Sequence, residues 1–256
     1  MKNPRILVVD DDRVMAETLA DVLEASDYIV TTVHSGEEAT RIVKQEKFDI
    51  GLLDIKMPGI NGVEALKQLR KSLPDAFFAM ISAYSFIDLI DEAKKEGAIT
   101  VLPKPIDLDH LLYFLKEVSK KGSVVIIDDD HSFCESLSDV LKGKADLEVS
   151  HAQTAEKGLK LVLERSPDAV LLDMKLGPTT AYEIFSELKK ALKIPQRATD
   201  KSNVILMTAY GKEMEDIIQK TLELSAFTCV HKPFDIEDVV HLINDVRRVQ
   251  LSKKLQ

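Results

Sequence analysis

The stretch "ILVVDDDRVM", residues 6–15, runs four aliphatic residues into three consecutive aspartates, and "VVIIDDDHSF", residues 124–133, repeats the arrangement. A short aliphatic run of this kind reads as a strand buried on both faces of a parallel sheet. Gathering like charges where such a strand ends is costly, so each cluster calls for a counter-charge. A chain of 256 residues that carries the pattern twice is expected to hold two domains, since single domains usually run about 100–150 residues.

The rest of each half fits that start. In the first, "YIVTTV", "DIGLLD", "FFAMIS" and "ITVL" follow as further strands, and in the second "LEVSHA", "DAVLLD", "NVILMT" and "FTCV" do so after "SVVII". Amphipathic segments separate them. "DRVMAETLADVLEAS" sets Val14, Leu19, Val22 and Leu23 at helical spacing, while Ser35 with Glu38 and Asn61 with Glu64 read as capping boxes. Asp12 and Asp130 are expected to cap the helices that they precede. Strands alternating with helices give an α/β fold, here two doubly wound five-stranded parallel-sheet domains in tandem. "SKKGS" at 119–123 divides them into 1–120 and 121–256, the second with a C-terminal helix tail, and "KIPQRATDKS" reads as a loop insertion.

Composition narrows the function. Hydrophobic residues are 45% and charged residues 30% of the chain, a globular balance. The net charge of −9 argues against direct nucleic-acid binding, which needs a basic surface. No window approaches the roughly 18 apolar residues of a membrane span, and "MKNPRILVVD" lacks a signal peptide's apolar region, so a soluble cytoplasmic protein is expected. Cys134 and Cys229 read as buried apolar positions without disulfide or zinc-site spacing.

Ligands of open parallel sheets bind beyond the carboxyl ends of the strands, and the notable polar residues all fall there. Asp10, Asp11 and Asp12, then Asp54, Ser82 and Lys104 end the strands of the first half; Asp128, Asp129 and Asp130, then Asp173, Thr208 and Lys232 end those of the second. Asp10 to Asp54 is 44 residues and Asp128 to Asp173 is 45; Ser82 to Lys104 is 22 and Thr208 to Lys232 is 24. Carboxylates converging on one edge suit a divalent cation, and their all-oxygen chemistry suits Mg2+. A lysine and a hydroxyl on the same rim suit an anion such as a phosphoryl group, with one carboxylate as its nucleophilic acceptor.

Residues 3–119 and 122–249 each resemble a receiver domain of two-component response regulators, a flavodoxin-like fold, through "VVDDD", "LLDIKMPGING", "ISAY" and "LPKP" and through "IIDDD", "LLDMKLG", "MTAY" and "HKPF". The resemblance implies that Asp54 and Asp173 accept phosphate from a histidine kinase or histidine phosphotransfer protein. It implies Mg2+ on Asp10, Asp11, Asp54 and the Lys56 carbonyl, and on Asp128, Asp129, Asp173 and the Lys175 carbonyl. Ser82, Thr208, Lys104 and Lys232 would contact the phosphoryl group, Pro105 and Pro233 would follow cis peptides, and Lys56 with Tyr84 and Lys175 with Tyr210 would border the path of hydrolytic water. Such a protein is a phosphoacceptor rather than an enzyme, with a downstream protein target, a homodimer as an option, and no nucleic-acid or membrane partner; no output domain is recognisable. Two departures stand out: Val101 and Cys229 replace the family's switching aromatic, and "MKLGPTTAYE" lacks the usual "MPG". A scaffolding pair of receivers that never takes phosphate is one alternative. A haloacid-dehalogenase-like phosphatase is another, built on the order Asp10, Asp12, Ser82, Lys104 and Asp128 with Asp129.

Overall fold

The computed structural model describes residues 3–83, 87–145, 147–177, 179–191, 201–209 and 215–255. Two compact units make up the chain: Met1–Lys120 with Leu251–Gln256, and Lys121–Gln250. The end of the tail, which the sequence reading kept with the second half, thus groups with the first unit, where Leu251 and Leu255 are buried in its apolar core.

In the first unit, strands β1 (Arg5–Val9), β2 (Ile29–Val33), β3 (Ile50–Asp54), β4 (Phe77–Ser82) and β5 (Thr100–Pro103) form one sheet in the order β2-β1-β3-β4-β5. All neighbours are parallel. Because successive side chains of a strand point to opposite faces, each run feeds two cores. Leu7, Val9, Leu53, Phe78 and Met80 face helices α2 (Gly36–Ile42), α3 (Gly62–Ser72) and α4 (Ile87–Lys95). Ile6, Val8, Leu52, Ala79 and Ile81 face α1 (Arg13–Glu24) and α5 (Leu108–Val118). That double burial is why the strands read as continuous aliphatic runs rather than as alternating patterns.

The second unit repeats the plan with β6 (Ser123–Ile127), β7 (Glu148–Ala152), β8 (Ala169–Asp173), β11 (Val204–Thr208) and β12 (Thr228–His231), in the order β12-β11-β8-β6-β7. Its pairings are again parallel. Helices α7 (Ala155–Arg165) and α8 (Ala181–Ala191) pack on one face; α6 (His131–Ala145) and α10 (Ile236–Lys254) pack on the other. Helix α9 is Glu215–Glu223. The repeat reaches fine detail: the Asp49 carboxylate accepts from the Arg5 amide at 2.8 Å, and the Asp168 carboxylate accepts from the Ser123 amide at 2.7 Å, fixing the start of β1 and of β6. One addition was not legible in the sequence, an antiparallel ribbon of β9 (Lys175–Leu176) and β10 (Thr179–Thr180) directly after Asp173.

The caps hold for the most part. Asp12 accepts from the Met15 amide, Asp130 from the Phe133 amide, and Asn61 with Glu64 forms a reciprocal capping box. Ser35 accepts from the Glu38 amide, but the Glu38 carboxylate takes the His34 amide instead of closing the box. In α1 the inward positions are Ala16, Leu19 and Leu23, whereas Val14 is 74% exposed because its spacing from them, at about 100° per residue, places it on the opposite face of the helix. The expected insertion "KIPQRATDKS" falls largely outside the described residues. Among the described residues no helix is long and apolar enough to cross a membrane.

Both cysteines are free. Burial, and then the Asp128 charge, push the Cys134 thiol up to about 12; burial pushes Cys229 up to about 11. At pH 8 a thiol with the former value is thiolate in about one molecule in ten thousand, and the thiolate is the reactive form. Maleimide should therefore leave Cys134 unmodified in the native protein over times that label it fully in denaturant. Labelling at the rate of a free thiol would show that this core is open.

Candidate functional site

The carboxyl ends of β1, β3 and β5 bring Asp10, Asp54 and Lys104 into direct contact. The Lys104 ammonium lies 2.9 Å from Asp10 Oδ2 and 2.6 Å from Asp54 Oδ1. Backbone amides take the other oxygens: Asp12 N–H donates to Asp10 Oδ1 at 2.9 Å, and Lys56 N–H donates to Asp54 Oδ2 at 2.9 Å. Asp10 and Asp54 are 1% and 5% exposed, so the lysine supplies the charge that burial removes from water. Burial dominates at Asp54 and, despite Lys104, raises its pKa above the usual carboxylate value. Burial acts against charge on Lys104, but the bonds to Asp54 and Asp10 outweigh it and raise its pKa.

Asp11 is exposed, yet one oxygen each from Asp10, Asp11 and Asp54 lie within 4.8 Å of one another. Ser82 and Lys56 line the same cleft. Ser82 ends β4 and donates its hydroxyl to the Ala83 carbonyl at 2.8 Å, while its own carbonyl accepts from the Lys104 amide. The described Lys104–Pro105 peptide is cis, as the resemblance implies.

Two further residues shape this cleft without having been singled out in the sequence. Gly62 opens α3 so close to the end of β3 that a Cβ there would stand 2.0 Å from the Asp54 carbonyl oxygen. Glu37, from α2, accepts from the Ile60 amide at 3.0 Å and so pins the loop that follows Asp54. Bonds from its own amide and from that of Ile60 hold its carboxyl below the usual range. Neither role leaves a mark in sequence patterning, since a glycine or a glutamate in the first turn of a helix has commoner explanations.

The second unit builds the same contacts from β6, β8 and β12. Lys232 pairs with Asp128 Oδ2 and lies 2.7 Å from Asp173 Oδ1. The Asp130 amide donates to Asp128 at 3.0 Å and the Lys175 amide to Asp173 at 2.8 Å. Burial raises the Asp128 pKa, against the pull of Lys232. Thr208 is fully buried at the end of β11, and its carbonyl accepts from the Lys232 amide at 2.7 Å. The Lys232–Pro233 peptide is cis.

Differences gather at the edges of this second cleft. The Lys232 ammonium also sits 4.2 Å from the centre of the Phe133 ring, a cation–π contact where the first copy has Met15. Asp129, counterpart of Asp11, accepts from the Gly177 amide at 3.1 Å. Asp128 and Asp129 thus serve the second unit's own cluster, which removes the acidic pair that the dehalogenase-like order needed after Lys104. Tyr84 and Tyr210 lie outside the described residues; Lys56 and Lys175 are both exposed at their clefts.

The family model for the response regulator receiver domain matches residues 6–116 and again 124–244. The chain belongs to the receiver-domain family. It holds two receiver domains of the response regulators of two-component systems. A response regulator receiver protein of Anaeromyxobacter sp. (strain Fw109-5) is 33% identical over 152 residues, covering 59% of this chain and 64% of the relative. Sporulation initiation phosphotransferase F of Bacillus subtilis (strain 168) is 35% identical over 111 residues, 43% of this chain and 90% of that protein. The transcriptional regulatory protein ZraR of Klebsiella oxytoca is 38% identical over 112 residues, 44% of this chain and 25% of that protein. Among solved structures, the receiver domain of Francisella response regulator 1452 is 28% identical with a TM-score of 0.42, covering 45% of this chain and 96% of that one. The Thermotoga maritima response regulator TrrA, solved with Mg2+-BeF, is 34% identical with a TM-score of 0.41, covering 45% of this chain and 98% of that one.

Substituting Gly62→Ala should destabilise the first receiver domain by about 1–3 kcal/mol, the usual cost of forcing a methyl group into a filled site. Urea unfolding followed by circular dichroism reads this directly. An unchanged midpoint would mean that the start of α3 can withdraw from Asp54 without loss.

Proposed function

We propose that this chain is a tandem phosphoacceptor that takes a phosphoryl group from the phosphohistidine of a histidine kinase or histidine phosphotransfer protein onto Asp54, and onto Asp173. The observation that carries the reading is the lysine clasp, found twice: Lys104 on Asp10 and Asp54, and Lys232 on Asp128 and Asp173. A lysine held at that point is poised to accept a new anionic partner without moving along the sheet, which lowers the orientational cost of transfer.

In the transfer, an Asp54 oxygen forms the new O–P bond as the N–P bond of the donor breaks, and the electron pair of that bond returns to the imidazole nitrogen. Lys104 keeps its position beside the acceptor and neutralises the incoming phosphoryl oxygens. The Lys56 amide, already bonded to Asp54, holds the carboxylate plane. Ser82 turns its hydroxyl from the Ala83 carbonyl to a phosphoryl oxygen, so that the end of β4 reads the modification. Asp173, Lys232, the Lys175 amide and Thr208 fill the same roles in the second domain.

Mg2+ fits the first site, where three carboxylates present oxygen atoms within 4.8 Å and the donors are all hard. Asp10, Asp11 and Asp54, with the Lys56 carbonyl, would hold it; the corresponding set is Asp128, Asp129, Asp173 and the Lys175 carbonyl. When bound, the ion neutralises charge on the phosphoryl group during transfer. The protein is then a signalling switch rather than an enzyme with an external substrate. It acts in the cytoplasm and passes its state on by changing which protein surfaces it binds, a second copy of itself included.

The test is phosphorylation by a small-molecule phosphodonor with magnesium, followed by intact-mass spectrometry. The wild-type chain should gain one and then two phosphoryl groups, Asp54→Asn or Asp173→Asn alone should gain one, and the double variant none. Undiminished incorporation into the double variant would place the acceptor elsewhere.

A further inference from the structure

The two clefts share the lysine clasp but not the state of the exposed aspartate. In the first domain no described residue donates to the Asp11 carboxylate, and its oxygen joins those of Asp10 and Asp54 within 4.8 Å. In the second, the Gly177 amide donates to Asp129 Oδ2 at 3.1 Å. Among the described residues, Asp128, Asp129 and Asp173 do not gather within the same limit.

The cause is visible in one inversion of sequence. Counting from the acceptor aspartates, Gly177 stands where the first domain has Pro58, because "MPG" at 57–59 becomes "LGP" at 176–178. Proline has no amide hydrogen, so position 58 cannot tether Asp11. Gly177 has one, and its left-handed backbone, at φ +57, follows directly on strand β9 of the ribbon and turns the amide toward Asp129. In the first domain the left-handed residue is Gly59, one position later.

We infer that Gly177 is a specificity-determining residue for metal loading: its amide holds the Asp129 carboxylate out of a close cluster with Asp128 and Asp173, so the second receiver takes up magnesium at higher concentration than the first and the two sites load in order. The inference rests on the magnesium-dependent phosphoacceptor reading given above. Gathering Asp129 with Asp128 and Asp173 around a cation needs its carboxylate to turn from the Gly177 amide, a reorientation that Asp11, whose oxygen already lies within 4.8 Å of those of Asp10 and Asp54, does not need. The expected gap is about threefold to tenfold in the magnesium concentration at half saturation, tenfold being the equivalent of about 1.4 kcal/mol. Where magnesium is limiting, Asp54 is then the first acceptor and Asp173 the second.

The test titrates the full-length 15N-labelled chain with Mg2+ and follows the amides of Lys56 and Gly59 for the first site and of Lys175 and Gly177 for the second. The first pair should reach its midpoint at the lower concentration, and the Gly177 resonance should move as its bond to Asp129 breaks. Exchanging the two residues in the double variant G177P/P178G, which restores the Pro-Gly order, should bring the midpoints together; the reciprocal P58G/G59P should weaken the first site and serves if the former fails to fold. Equal midpoints in the wild-type chain, or a gap that both exchanges leave intact, would overturn the inference while leaving the phosphoacceptor reading standing. No response at either pair would overturn the magnesium reading itself.

Discussion

The contact on which each domain depends is an ammonium wedged between two buried carboxylates. Asp10 and Asp54 end neighbouring strands, and Asp128 and Asp173 do the same in the second sheet. Two carboxylates brought together out of water repel one another and lose hydration, and the arrangement persists only because Lys104 or Lys232 reaches across from the edge strand. The sheet order makes this reach possible. In the order 2-1-3-4-5 the ends of the first and third strands adjoin, and the loop after the fifth returns a side chain over them. Fold and charge thus constrain each other: without the lysine the strand ends would be electrostatically strained, and without the parallel sheet the charges would not meet.

Duplication preserved this unit and varied its surroundings. Glu37 pins the loop after Asp54, and Gly62 lets α3 start almost in contact with the Asp54 carbonyl. The second domain has Ala181 at the head of α8, and its loop passes through the β9–β10 ribbon. Phe133 adds an aromatic face to the lysine that Met15 does not supply. Such changes lie outside the clasp and leave its bonds intact, so they adjust how each site meets ions and partners.

Much of this was legible in sequence because burial on both faces forces long aliphatic runs, and because carboxylates at strand ends are too costly to occur twice by accident. Strands, their order of appearance, the capping aspartates and the clustering of Asp10, Asp54 and Lys104 all followed from that. The reading failed at Val14, whose spacing from Leu19 and Leu23 places it on the outer face of α1, opposite the buried stripe that Ala16 continues. The pairing of Ser35 and Glu38 failed by half, since a carboxylate chooses among nearby amides by geometry that sequence does not encode. The Asp129 tether was hidden for the same reason: the shifted proline of "LGP" was visible, but its consequence depends on where one freed amide points.

The most direct test of the clasp is a double-mutant cycle on Lys104 and Asp54, with unfolding free energies measured in the absence of divalent cations. Lys104→Met should destabilise the wild-type chain by clearly more than it destabilises Asp54→Asn, giving a coupling of about 1–3 kcal/mol, because removing the second charge relieves the repulsion that the lysine holds in check. Additive effects, with a coupling indistinguishable from zero, would contradict the claim that lysine and carboxylates form a single electrostatic unit.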